Sequence, residues 1–409
     1  MKPRSWWVIL IALPLLLLAA LWPETSRPGS HARNEADPSP IAAVHTLRAD
    51  DEMLRLASEA GFDAVVQVFS WFEMEPTRQE WHWEYPDFVV RAAEHYDLDL
   101  IVRLDSLPAW AAEEAAAGQV DSLSDDYAAF VGWVAQRYQG QIRGYIVWNE
   151  PNLAREWGGQ RPDPAAYTEL LRRAYEAIKA ADPEATVVSA GLAPTNHQDA
   201  EAMDDRVFLE AMYQAGAGAY FDALGAHPYG FAYPPDDPRG AHDGLNLARL
   251  LDLRAIMEAH GDGHKPIWVT ELGWTTAGVG EGSWLTVTPQ QQADYLTGAW
   301  RRARREWSWL QVFTVWNLSQ GPRPDGSTSS PRRPVEGVPP MDEKVGYSLL
   351  DESGEPKPAY HALRAEFNRR WGHRLARWVE RTQAALLDPR PSVLTILAAD
   401  EAVHLGDSE

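Results

Sequence analysis

Tyr145-Ile146-Val147-Trp148-Asn149-Glu150-Pro151-Asn152 carries a hydrophobic strand into a carboxylate and then into a proline. β-Branched and aromatic residues suit a buried strand, and Pro151 cannot continue one. Glu150 therefore stands where the strand gives out. A second stretch repeats the arrangement: Ile267-Trp268-Val269-Thr270-Glu271-Leu272-Gly273-Trp274. A carboxylate beside Trp is costly to desolvate, so two of them point to chemistry rather than packing. Paired strand-end carboxylates facing one cavity are what glycosidic bond cleavage needs. One serves as acid/base, the other as nucleophile or second base.

Outward from these stretches, short apolar runs alternate with amphipathic ones. Strands are predicted at 41–44 (a weak one), 64–69, 100–104, 142–148, 186–190, 223–227, 267–270 and 312–316. Helices are predicted at 52–60, 85–96, 125–138, 164–181, 208–215, 245–260, 290–306 and 359–371. Asp50 or Asp51 caps the first helix and Gly61 ends it. A long loop after the second strand holds Trp71, Glu73, Glu75, Trp81 and Trp83. Strand and helix alternating in this way predict an α/β fold, the (β/α)8 TIM barrel. A doubly wound sheet would need a Gly-rich phosphate turn after its first strand, and none is present. In such a barrel the C-terminal strand ends form the catalytic face, where both Glu150 and Glu271 fall.

Composition narrows the partners. The chain has 409 residues, with 37 Lys plus Arg against 59 Asp plus Glu, a formal charge of -22. That surface repels nucleic acid and anionic lipid but is indifferent to neutral sugar. The absence of cysteine excludes disulfides, thiolate metal sites and a cysteine nucleophile, and leaves the compartment open. Nineteen Trp are mostly core, but those at strand ends, Trp110, Trp148, Trp274 and Trp316, are candidate sugar platforms. Trp81 and Trp83, two apart, share a face in an extended segment and read either as packing over the barrel mouth or as a subsite platform. No His pair at ligand spacing accompanies the glutamates, so neither a metal nor a cofactor is expected. Asp125-Asp126 and Asp236-Asp237 read as caps and turns.

Lys2 and Arg4 precede an apolar run, 6–22, that reads as an uncleaved signal anchor or a signal peptide. The positive flank stays in the cytoplasm. The rest is expected to be exported, extracytoplasmic and tethered to the membrane by 6–22, or otherwise secreted. A Pro/Ser-rich disordered linker, 23–40, leads to the barrel at 41–371. The Pro/Ser/Arg-rich insert 321–342 reads as a loop over the barrel mouth, and 372–409 as a C-terminal appendage without assignment.

Trp148-Asn149-Glu150-Pro151-Asn152 resembles the acid/base signature of clan A glycoside hydrolases, the barrel enzymes that include families five and thirty-nine. Thr270-Glu271-Leu272-Gly273-Trp274 is similar to their nucleophile strand. His227-Pro228-Tyr229 resembles their sixth strand, Pro108-x-Trp110 their third-strand end, and Trp316 their eighth-strand platform. Gly346 to Leu350 and Lys357 to Tyr360 resemble the turn and last helix that close such barrels. The resemblance spans roughly 41–371.

It implies that Glu150 is the acid/base, Glu271 the nucleophile, and Asn149 a donor to the sugar 2-hydroxyl. It implies retention, with the carboxylates about 5–5.5 Å apart. The acid needs a raised pKa, and the nucleophile needs donors around it. Tyr229 and Arg103 are candidate donors. His227 reads as a satisfied strand-end histidine, or as a hydrogen bond to substrate or Glu271. The chain departs from the pattern on the second strand, where relatives commonly carry an Arg and this one has Gln67. Arg103, one strand later, is the candidate replacement. The leading expectation is a retaining hydrolase of β-linked oligo- or polysaccharides. The alternatives are a non-catalytic carbohydrate-binding barrel and a transglycosylase that uses the same site.

Overall fold

The structure, a computed structural model, describes residues 39–116, 120–277, 286–319, 343–351 and 353–368. The apolar run 6–22, nearly all of the linker, the insert 321–342 and the appendage lie outside the described residues. No helix among the described residues is long and apolar enough to cross a membrane.

Eight parallel strands form the sheet: β1 (Ile41–Leu47), β2 (Ala64–Ser70), β3 (Asp99–Asp105), β4 (Gly144–Val147), β5 (Thr186–Ser189), β6 (Leu224–Ala226), β7 (Ile267–Val269) and β8 (Leu310–Val315). Their order is β5-β4-β3-β2-β1-β8-β7-β6. The two ends meet through parallel bridges, Val188 to Ala223 and Leu192 to Ala226. At that seam Gly225 N donates to Ser189 Oγ at 3.0 Å. A Cβ on Gly225 would fall 2.2 Å from the Ser189 carbonyl oxygen, so glycine lets the barrel close.

Successive strand residues point to opposite faces. One set forms the barrel interior: Ala43, Ala64, Val66, Ile101, Ile146, Val188, Ala223, Trp268 and Val312 are buried together. Trp268 spans this plug, and Gly144 on β4 makes room for it, since a Cβ there would sit 2.7 Å from the indole. The other set, including Val44, Val65, Leu100, Val102, Tyr145, Val187, Val269 and Phe313, packs against the helices.

The helices start and stop where their caps dictate. Asp50 accepts from Met53 N to open Asp51–Ala60, and Gly61, at φ 91°, closes it. Asp163 caps Pro164–Ala181, and Thr288 with Gln291 forms a capping box on Pro289–Glu306. The last described helix, Pro358–Asn368, packs on both ends of the chain's helical ring: Tyr360 donates to Leu56 O, and Phe367 meets Trp300 and Phe62 edge-on.

Four elements differ from expectation. The weak first strand extends to Leu47, because Thr46 and Gln67 tie its end to β2. The loop after β2 contains a short helix, Trp71–Met74, capped by Ser70. The helix expected from 125 begins at Val120, after a separate Ala109–Ala116. The one expected from 245 is a 3-10 turn, Leu247–Arg249, followed by Leu250–Ala259. There Arg249 is buried against Asp205, which fixes the chain before the helix starts.

Candidate active site

Glu150 lies just past β4 on a strained turn. Trp148 and Glu150 both have positive φ, 74° and 40°, in the left-handed region that non-glycine residues rarely enter. Such strain persists only where neighbours over-determine it, and it clusters at functional sites. Here Glu150 N donates to Gly191 O at 3.1 Å. The buried Asn152 amide donates to the Ala193 and Met203 carbonyls and accepts from Ala193 N, each at 2.9 Å. The turn is thereby locked to the chain that follows β5.

Glu271 follows β7 by two residues and is buried. Arg103 of β3 reaches across the interior and donates from Nη1 to Glu271 Oε1 at 2.5 Å and to Asn149 Oδ1 at 3.0 Å. Its Nε lies 2.7 Å from Asp105. Burial would weaken this guanidinium's hold on its proton, but Asp105 and Glu271 outweigh it, so the pKa is raised. The Tyr229 hydroxyl donates to Glu271 Oε2 at 2.7 Å. Burial first, and the Glu271 charge second, hold the Tyr229 pKa well above its ordinary value, so it remains a donor.

His227 joins the two carboxylates. Its Nδ1 is 2.9 Å from Glu150 Oε1 and 3.7 Å from Glu271 Oε2. A Cβ on Gly191 would fall 2.2 Å from the imidazole, so glycine leaves the ring its place. One oxygen of each glutamate and Nδ1 all lie within 4.8 Å of one another. Among the described residues this trio is spaced closely enough to hold a metal ion. Arg103 already supplies the positive charge beside Glu271.

The expected raised pKa of Glu150 is not found. Burial, the largest influence, pushes it up, but the hydrogen bond and charge of His227, with Arg155 and Arg103, outweigh burial and hold it below the usual carboxylate range.

The remaining candidates divide. Asn149 is in the site, its Oδ1 on Arg103 and its Nδ2 3.3 Å from Glu156. Trp316, nearly buried, packs edge-on against His45 at 4.6 Å beside the Glu271 loop. Trp274 is corrected from platform to core: it is fully buried, its N–H bonded to Tyr233 O, with Gly230 packed on the indole. Trp110 is also taken up, its N–H on Glu75 O and its ring under Arg78. Trp148 donates to Glu156 O, and its indole is buried. Trp81 and Trp83 stack on each other at 5.3 Å, and Trp81 lies parallel to Phe130. Arg137 lies over Trp83, and the half-buried pair lines a surface cleft together with Trp133 and Gln136. Gln67 holds the end of β1, accepting from Thr46 and from Ala49 N, and takes no part in the site. Arg103 reaches the carboxylate instead. Asp125 and Asp126 pair with Arg173 and Arg78.

Sequence reasoning missed three members. Glu156 steadies Asn149, and Arg155 lies 3.5 Å from Glu150 Oε2. Both follow the Glu150 signature by a few residues, in a stretch that reads as ordinary charged loop. His45, on the strand read as weak, is buried beneath the site; burial, then the charges of Arg103 and His227, hold its pKa well below the ordinary value.

The profile of the cellulase family, glycosyl hydrolase family 5, matches residues 34–215, less than half of the chain. No curated protein matches in sequence. Among solved structures, a family 39 glycoside hydrolase from Bacteroides cellulosilyticus WH2 aligns at 20% identity, covering 80% of this chain and 64% of that one, with a TM-score of 0.60. This chain thus spans less than two thirds of that relative's length. A GH5 protein from Streptomyces cattleya, solved with Manβ1-4GlcNAc, aligns at 18% identity over 81% of each chain, TM-score 0.59. Xylanase 10B from Thermotoga maritima aligns at 15% identity over 81% of this chain and 96% of its own, TM-score 0.54. At these identities the likeness is one of fold. The chain resembles clan A glycoside hydrolases in sequence signature and in barrel.

Proposed function

We propose that this protein is a retaining glycoside hydrolase that cleaves β-linked O-glycosidic bonds by double displacement. The observation that carries the reading is the pair Glu150 and Glu271, from β4 and β7, approaching within 4.8 Å around His227. The cellulase family match over 34–215 supports it independently.

Glu271 is the nucleophile. Arg103 and Tyr229 each donate to one of its oxygens, which fixes its orientation toward the anomeric carbon. Its carboxylate attacks the anomeric carbon as the glycosidic bond breaks, and a proton from Glu150 goes to the departing oxygen. His227 Nδ1 holds Glu150 Oε1 at 2.9 Å, so the proton that Glu150 delivers stands on the other oxygen, Oε2. A sugar that excludes water there strengthens the burial effect and drives the proton onto the carboxyl. In the second half, Glu150 takes a proton from water, and the hydroxide attacks the anomeric carbon and frees Glu271.

Asn149 has its carbonyl oxygen occupied by Arg103, which turns its amide N–H groups outward. One is near Glu156, and the second is free to donate to the sugar 2-hydroxyl, a contact that strengthens in the transition state. Trp316 offers the sugar-facing aromatic surface.

Glu271→Ala is expected to lower turnover on the order of 10⁶-fold, the scale of removing a covalent nucleophile. Added azide or formate should partly restore it and yield a product of inverted anomeric configuration. Near-normal activity in the variant would remove Glu271 from this role.

A further inference from the structure

The two oxygens of Glu150 have unlike surroundings. Oε1 faces the interior, bonded to His227 and near Glu271. Oε2 faces Arg155, whose Nη2 is 3.5 Å away. His227 occupies Oε1, so Oε2 is the oxygen left to deliver a proton, and the departing sugar sits on the Oε2 side.

Arg155 occupies that side in an unusual way. Its backbone is fixed, in a 3-10 turn (Ala154–Glu156) whose first residue donates to Glu201 O at 2.8 Å. Its side chain is 70% exposed, and its contacts are long, 3.5 Å to Glu150 and 3.6 Å to Glu156. Arg pairs carboxylates best through two short parallel N–H···O bonds, and neither neighbour receives them. On a chain of net charge -22, this exposed guanidinium places a cation beside the outer oxygen of the catalytic carboxyl.

We propose that Arg155 is a specificity-determining residue that receives an anionic group on the leaving-group sugar, of the chemistry of a uronic acid carboxylate. This rests on the glycosidase reading, because that reading defines which side the leaving group takes. The guanidinium swings from its loose contacts to the incoming carboxylate and forms the planar fork there. Neutral sugars still fit, without this contact.

The test is titration calorimetry with phenyl and 4-carboxyphenyl 1-thio-β-glycosides of xylose, glucose and mannose, which resist cleavage. For the sugar that binds, the carboxylated ligand is expected to bind about 3- to 5-fold tighter at low ionic strength, as an exposed ion pair supports. The advantage should vanish at high salt and in Arg155→Gln, measured against each protein's own affinity for the phenyl ligand. Equal affinity in the wild type, or an advantage that survives Arg155→Gln, overturns the assignment and leaves the glycosidase reading intact. Binding of neither ligand with any of the sugars would sink both.

Discussion

The two ends of the barrel interior are built from the same strands, with the same alternation, yet hold opposite chemistry. At the N-terminal end Ala43, Ile101 and Trp268 form part of a dry apolar plug. Two residues farther along the same strands stand His45, Arg103 and Thr270, all buried. Alternation decides which face a residue takes and leaves its polarity open. The plug supplies packing, and the layer above it places charge where water is largely excluded, so each charge needs a named partner. Arg103 has Glu271, Asp105 and Asn149. Packing at one end of the barrel and chemistry at the other is the division of labour expected of this fold.

If the division is real, changes at one end should leave the other alone. The largest effect belongs to the polar end. Glu150→Ala is expected to lower kcat/KM by roughly 10²–10⁴ on substrates with poor leaving groups, the usual range for a general acid. Aryl substrates with good leaving groups should keep a rapid first step, with glycosyl-enzyme accumulating. Thermal stability should change little. Equal losses on both substrate types would count against a residue that serves as acid and then base.

At the apolar end, Trp268→Ala should do the reverse. Removing a buried indole from the plug is expected to cost about 3–5 kcal/mol of stability, read from denaturant unfolding, with kcat/KM of the folded protein nearly unchanged. A large activity loss without destabilisation would mean the two ends are not separable.

The smallest effect sharpens the polar end itself. Burial pushes the Glu150 pKa up, and His227 is the main influence holding it down. His227→Asn removes that influence, so the Glu150 pKa should rise. The alkaline limb of the kcat/KM profile, where the acid loses its proton, should then move to higher pH. A limb that stays in place, or moves down, would detach His227 from the acid/base.

The sequence made the barrel legible because strong signals repeat: apolar runs of strand length, caps such as Asp50 and Gly61, and two glutamates at strand ends. Glu150, Glu271, Arg103, Tyr229, His227 and Asn149 all meet in one place. What escaped was whatever depends on contacts distant in the chain. Trp274 and Trp110 read as platforms in sequence, and spacing cannot show their N–H bonds to Tyr233 O and Glu75 O or the packing of Gly230 and Arg78 on their rings. The direction of the Glu150 pKa depends on how near His227 comes, and residue spacing cannot supply that. Gln67 departs from its relatives' pattern for a local reason, since it ties β1 to β2 while Arg103 approaches the carboxylate from the next strand.

The central claim is that Glu150 and Glu271 act as a retaining pair, and the stereochemistry of the first product tests it most directly. Proton NMR of a β-glycoside digest, recorded before mutarotation sets in, should show the β-anomer of the released sugar appearing first. An α-anomer as the first product would contradict the double displacement and the roles assigned to both glutamates.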